Sequence, residues 1–271
     1  MPPKGSKRKD TAPASSAKSA TTTIAKSTAR PNWPPLEPLV PNCDLSLSTL
    51  VENQIITIPN FFTASLCKTY VSFLSSLPFL TTPAKPKKGD AVRVNDRFQI
   101  EDPAFAEQLW NSTALKDLVC GSAISEYDYA EEGMSEAARR QLWGGEVVGL
   151  NPNIRIYRYR KGQFFAQHYD ESNKLSLPTT PTATPAKTTW TLLIYLTSPS
   201  SGCIGGETVF YPDPSTSSSS NGLTSGKSVV VSLETGTALL HKHGEDCMLH
   251  EGLEVKEGEK WVIRSDLCVR R

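Results

Sequence analysis

The stretch Phe164-Phe165-Ala166-Gln167-His168-Tyr169-Asp170 places a histidine and an aspartate two residues apart inside a β-rich run. In a strand, residues i and i+2 point to the same face, so His168 and Asp170 can address one ion together. An imidazole and a carboxylate still need a third donor to hold a redox metal, and the other histidines of the chain are His241, His243 and His250. Two histidines and one carboxylate on one face, with the remaining positions open, suit non-haem Fe(II). From the residues alone, each of these three histidines is a candidate to close that face.

Outward from this pair, the period is that of strands. Ile154 to Tyr159 reads as a strand ending at the turn Lys161-Gly162, and the His168/Asp170 strand comes next. Trp190 to Leu196, Gly205 to Phe210, 228–233, 236–241 and 259–269 follow as further short strands. Short strands separated by turns predict a sandwich or jelly roll for the C-terminal half. Two segments interrupt it, a Pro/Thr-rich loop at 172–188 and a Ser-rich insertion at 212–227, each either a lid or a disordered insertion, with composition favouring disorder.

Upstream the reading is of scaffold. Residues 1–41 are rich in Ser, Thr, Ala, Pro and Lys, which predicts a disordered basic tail whose Lys4 to Lys9 cluster is a solvated arm or an import signal. Residues 42–145 form a helical support region, with a strand at Ile55 to Phe62, a helix over 63–77 and another starting at Asp102-Pro103, an acidic cap followed by proline in the first turn. A further helix covers 135–143, and the acidic stretch 126–132 carries no readable role. Between the first two helices, Ala91 to Ile100 reads as one strand carrying Arg93, Asn95 and Arg97 on one face, either a solvated edge or the lining of a substrate groove. Residues 146–271 then form the strand-rich core.

The totals agree with one domain plus a tail. The chain has 271 residues, 38% of them hydrophobic and 21% charged, with no run long enough to span a membrane and no signal-like apolar core at the N-terminus. The expected compartment is intracellular, cytoplasm or nucleus. Cys43, Cys67, Cys120, Cys203, Cys247 and Cys268 form no C-x-x-C pair, which fits reduced thiols. The net charge of +1 is uneven, because Lys4, Lys7, Arg8, Lys9, Lys18, Lys26 and Arg30 face only Asp10 near the N-terminus. The body is therefore mildly acidic, which argues against a nucleic-acid partner.

With its strand order, H-x-D at His168 and Asp170, His250-Glu251-Gly252, Lys260 ten residues further on, Tyr159 nine residues before His168 and the G-G-x-T-V-F turn at Gly205 to Phe210, the chain resembles the Fe(II)- and 2-oxoglutarate-dependent oxygenases, prolyl 4-hydroxylase branch. The resemblance implies an α+β fold, a double-stranded β-helix (jelly roll) with supporting N-terminal helices. It implies His168, Asp170 and His250 as catalytic metal ligands, with His241 and His243 as competitors for the third place. It further implies that 2-oxoglutarate chelates the iron and sets its distal carboxylate on Lys260, with Arg264 as rival, Tyr159 donating its hydroxyl, and Tyr195, Thr191 and Thr208 lining the cofactor. Arg155 and Tyr157, on the strand face of Tyr159, belong to the surroundings of the site or the substrate mouth. The implied reaction hydroxylates a C–H bond of a prolyl or other protein side chain and releases succinate and CO2, with ascorbate as reductant. The alternatives are a small molecule or alkylated nucleobase as substrate, or a vestigial jelly-roll binding module.

Overall fold

The computed structural model describes residues 30–82, 91–121, 134–178, 181–212 and 227–271. The basic cluster 4–9, residues 83–90, the acidic stretch 126–132 and most of the Ser-rich insertion lie outside the described residues.

An antiparallel pair, β1 (Ser48–Val51) and β2 (Ile55–Ile58), precedes helix α1 (Ala64–Leu74). Strands β3 (Leu80–Thr81), β4 (Arg93–Val94) and β5 (Asp96–Glu101) lead to α2 (Pro103–Ser112), α3 (Leu115–Cys120) and α4 (Glu136–Trp143). The strand-rich half then runs β6 (Val147–Leu150), β7 (Asn153–Arg160), β8 (Phe164–His168), β9 (Lys174–Leu177) and β10 (Thr184–Tyr195). It continues with β11 (Ile204–Gly205), β12 (Thr208–Tyr211), β13 (Val229–Val231), β14 (Ala238–Lys242), β15 (Leu249–Gly252), β16 (Val255–Glu257) and β17 (Glu259–Arg270).

Local chemistry sets the helix starts. Thr63 Oγ1 accepts the Leu66 amide at 3.2 Å, Asp102 accepts the Phe105 amide at 3.0 Å, and Ser135 accepts the Ala138 amide at 3.2 Å, so α1, α2 and α4 each begin on a side-chain cap. Gly144, in the left-handed region, closes α4.

The strands form two principal antiparallel sheets, which together make the jelly roll. The larger runs β1-β2-β14-β10-β17-β7-β5-β3, with β6 on β17 and β9 on β10, and the smaller runs β13-β12-β15-β8-β4. Along the chain β7, β10, β14 and β17 go to the larger sheet, while β8, β12, β13 and β15 go to the smaller. Alternation on each strand then divides two cores. Ile154 and Ile156 on β7, and Trp261 and Ile263 on β17, pack with α1 and α2 against the outer face of the larger sheet. Tyr157 and Tyr159, with Val262 and Tyr195, instead meet Phe210 and Val231 of the smaller sheet inside the roll. β17 turns Lys260, Val262 and Arg264 the same way, onto this inner face.

Three differences from the sequence reading have identifiable causes. Residues 30–41, assigned by composition to the disordered tail, are packed: Trp33 stacks on Phe105 at 4.1 Å, its indole donates to Asp102 at 2.8 Å, and Leu36 is buried. A few large apolar side chains suffice when the groove that receives them is already built. The segment 172–188, expected to be loop, contains β9 and the start of β10, paired from Lys174 with Lys187 to Leu177 with Thr184. Backbone ladder bonds hold it, and these leave little trace in side-chain pattern. The single strand 91–100 is two strands, because Asn95 is fully buried between them: β4 joins the smaller sheet and β5 the larger. Among the described residues, no helix is long and apolar enough to cross a membrane.

Candidate metal centre

His168 ends β8 and His250 lies in β15, and the two are direct cross-strand partners in the smaller sheet. Their ring centroids are 4.2 Å apart. His168 Nδ1 lies 2.8 Å from the carbonyl of Ala166, and His250 Nδ1 lies 2.9 Å from that of Met248. A carbonyl can only accept, so each Nδ1 carries the proton and each Nε2 presents a lone pair. Phe165 stacks on His168 at 3.5 Å and Phe210 on His250 at 5.3 Å, which holds both rings in place.

Asp170 sits just past the end of β8. Its Oδ1 is 3.9 Å from His168 Nε2 and its Oδ2 is 3.8 Å from His250 Nε2. The donor atoms of His168, Asp170 and His250 all lie within 4.8 Å of one another. The Asp170 backbone is pinned, its amide donating to Cys247 Sγ at 3.3 Å and its carbonyl accepting the Gly244 amide at 2.9 Å.

The protonation states fit a cation. Burial pushes the His168 imidazole down to about 3, with His250 adding to the effect, and burial lowers His250 too. Burial works to raise Asp170, but Arg264 and the surrounding imidazoles outweigh it and hold the carboxyl well below its usual range. Two neutral imidazoles and one carboxylate are the donor states a divalent metal requires.

The two competing histidines occupy different places. His243 is engaged at both nitrogens, 2.9 Å from Thr191 Oγ1 and 2.9 Å from Thr188 Oγ1, and it braces Thr191. His241 is buried with Nε2 3.7 Å from Asp170 Oδ2, its ring 4.6 Å from that of His250, and its Nδ1 without a partner among the described residues. It borders the carboxylate, outside the group whose donors mutually converge.

The residues expected around 2-oxoglutarate divide into two groups. Lys260, 5% exposed, donates to the carbonyl of Gly206 at 2.7 Å and lies 5.5 Å from the ring centroids of both Tyr159 and Tyr195. The Tyr195 hydroxyl is 2.7 Å from Thr208 Oγ1, so Lys260, Tyr159, Tyr195 and Thr208 form one buried cluster. Burial pushes the Lys260 ammonium down to about 8, against the pull of Cys203 and Glu207, and among the described residues it makes no ion pair. A buried ammonium without a carboxylate partner suits an anionic guest.

Thr191 and Arg264 stand instead at Asp170. Thr191 donates to Asp170 Oδ2 at 2.9 Å, and Arg264 grips both oxygens, Nη2 to Oδ2 at 2.9 Å and Nη1 to Oδ1 at 3.2 Å. The same guanidinium reaches Asp266 at 3.4 Å, and Arg155 ion-pairs with Asp266 from the other side. Sequence reasoning assigned no place to Cys247 or Phe165, whose roles depend on cross-strand neighbours.

Residues 154–265 match the model of the 2OG-Fe(II) oxygenase superfamily, a span that includes the three converging donors and the Lys260 pocket. No curated protein matches the sequence. Among solved structures, the chain is similar to a Pseudomonas putida prolyl-4-hydroxylase, at 14% identity and a TM-score of 0.49 over 80% of this chain and 94% of the other. It is also similar to a Trichoplax adhaerens prolyl hydroxylase in complex with a hypoxia inducible factor peptide fragment, at 15% identity and 0.49 over 79% and 83%. A third is HygX from Streptomyces hygroscopicus with nickel and 2-oxoglutarate, at 15% identity and 0.41 over 80% and 83%.

Proposed function

We propose that the 2OG-Fe(II) oxygenase region at residues 154–265 hydroxylates a C–H bond of a protein side chain, a prolyl residue first among them. The observation that supports this reading most directly is the pairing of two features on one interior. Two imidazoles with free Nε2 lone pairs converge with a carboxylate, and a buried lysine without an ion pair among the described residues lies on the inner face of the same roll.

In this reading His168, Asp170 and His250 hold Fe(II), and Lys260 with the Tyr159 hydroxyl receives the distal carboxylate of 2-oxoglutarate. Tyr195 and Thr208 flank the cofactor chain. Iron and 2-oxoglutarate together supply the oxidising chemistry, consuming dioxygen and releasing succinate and CO2, with ascorbate serving as reductant. The protein's own contribution is positional. Arg264 and Thr191 fix the orientation of Asp170, and Phe165 and Phe210 fix the rings. Residues 42–145 act as support for the core at 146–271, since α1 and α2 cover the outer face of the larger sheet.

The test has two arms. Anaerobic addition of Fe(II) and 2-oxoglutarate should produce a metal-to-ligand charge-transfer band, and a proline-containing peptide should stimulate succinate release in air. No band in the wild-type protein defeats the oxygenase reading. Succinate release stimulated only by a methylated oligonucleotide or a small molecule would retain the enzyme and replace its substrate.

A further inference from the structure

Four residues along β17 from Lys260, on the same inward face, Arg264 begins a second electrostatic feature. The register sets Arg264 beside Arg155 and Arg155 beside Gln99, and it sets Tyr157 beside Arg97. Arg93, in β4 of the smaller sheet, comes from the opposite side, with its guanidinium 4.6 Å from the Phe165 ring centroid and 5.7 Å from that of Tyr157. Arg97 lies 5.9 Å from the same Tyr157 ring. The two sheets therefore bring two guanidiniums onto one phenol, and Phe165 beneath Arg93 is the ring stacked on His168 at 3.5 Å.

The charges in this cluster do not balance. Asp170 and Asp266 are its carboxylates, and Arg264 and Arg155 already occupy them. Arg93 and Arg97 make no ion pair among the described residues; Arg97 donates to Gln99, and Nε of both Arg97 and Arg155 is buried without a hydrogen-bond partner. Burial first, and then the neighbouring guanidiniums, disfavour charge on Arg97 against the pull of Tyr157, and four arginines together lower the Tyr157 phenol despite its burial. Like charges held together at a half-buried site persist when an anion serves them. Arg93, Arg97 and Gln99 are half-buried while Tyr157 is buried, so the cluster has an accessible side and a closed floor.

We infer that Arg93 and Arg97, with Tyr157 between them, form a subsite for a carboxylate of the substrate beside the carbon to be oxidised. Guanidinium planes over aromatic rings favour a flat, two-oxygen anion that each fork can grip with paired N–H donors. The separation from His168 by one aromatic ring sets the reach, because the anion must lie within roughly one amino-acid unit of the reacting C–H bond. The carboxylate is either an acidic side chain next to the modified residue in a peptide or the free carboxylate of a small acid. The position of the reacting carbon rests on the oxygenase reading; the anion site itself rests on the arginines alone.

The experiment uses the full chain saturated with Mn(II) and 2-oxoglutarate, so that the Lys260 pocket is filled, and measures binding by calorimetry. One probe pair is N-acetylproline and its carboxamide. The other is acetyl-Asp-Pro-amide and the same peptide with Asn. At least one acid should bind about tenfold or more tighter than its neutral partner, the effect of one charge-assisted pair, and that preference should fall to within about twofold in R93Q/R97Q. Which pair discriminates identifies the source of the carboxylate. Equal binding of acid and neutral probe in both pairs, or no binding of either acid, overturns the inference, and this wild-type comparison holds even if the double variant folds poorly. A titration of 2-oxoglutarate into wild type and K260M reports separately on the oxygenase reading.

Discussion

Replacing Lys260 by Met should make the protein more stable and 2-oxoglutarate a poorer ligand, two effects of opposite sign from one side chain. Burial lowers the ammonium from 10.5 to about 8, and at about 1.4 kcal/mol per pH unit the charged form costs roughly 3 kcal/mol at neutral pH. Met keeps most of the apolar stem and removes that cost. It also removes the bond to the Gly206 carbonyl and the contacts with the two tyrosine rings, worth roughly 1–2 kcal/mol together, which leaves a net gain of about 1 kcal/mol. Binding moves the other way, because deleting one partner of a buried charge pair costs about 3–5 kcal/mol, or on the order of a hundredfold or more in the dissociation constant. Urea unfolding of the cofactor-free protein and calorimetric titration of 2-oxoglutarate read the two quantities. The pH dependence has a defined sign: 2-oxoglutarate affinity should decline as pH rises through about 8 and the free lysine loses its proton, while this residue's penalty on the cofactor-free fold is relieved between about 8 and 10.5. A K260M protein that is less stable and binds 2-oxoglutarate unchanged would refute the assignment of this lysine to the cofactor.

H168A and H250A should each abolish Mn(II) binding followed by electron paramagnetic resonance, whereas H243A should retain it at reduced affinity and lose about 1–3 kcal/mol of stability by unpairing Thr188 and Thr191; the reverse ranking would mean that the third ligand is His243. Asp266 is held below its usual 3.8 by Arg155 and Arg264 against the opposing effect of burial, so its contribution is present above that value and is lost as pH falls beneath it. Acid unfolding of D266N should therefore show a shallower slope below pH 4, and an identical slope would remove Asp266 from the account. Gly206 has φ +77, and an added Cβ would meet Val255 at 3.0 Å and the Lys260 stem at 3.2 Å. G206A should destabilise the fold by about 1 kcal/mol or more and weaken 2-oxoglutarate binding, and normal values for both would show that the turn adapts.

Some of this site was legible because its determinants are local. A strand period of two makes His168 and Asp170 neighbours in any fold that keeps the run extended, and the same period puts Lys260 and Arg264 on one face. The strand-rich half from Ile154 onward and the cap at Asp102 follow from composition and spacing of the same short-range kind, which left a sandwich and a jelly roll both open until the family resemblance pointed to the jelly roll. The pairing of β9 with β10 and the docking of Trp33 were not legible, since each depends on a partner far away in the chain.

What the linear order determines about this protein is therefore which donors exist and which way each faces along its own strand. Which of them meet is a matter of register between strands, and register is decided only when both sheets close. His241 and His250 each reach toward Asp170, yet it is the pairing of β15 with β8 that sets His250 opposite His168. Lys260 and Arg264 look equivalent on paper, but four residues at about 3.3 Å each place one at the Gly206 carbonyl and the other on Asp170. The convergence of Arg93 and Arg97 on Tyr157 belongs to the same class, because β4 and β5 are adjacent in sequence and enter different sheets. A side chain's direction is set within a few residues of backbone, whereas its neighbours are set by the packing of the whole roll.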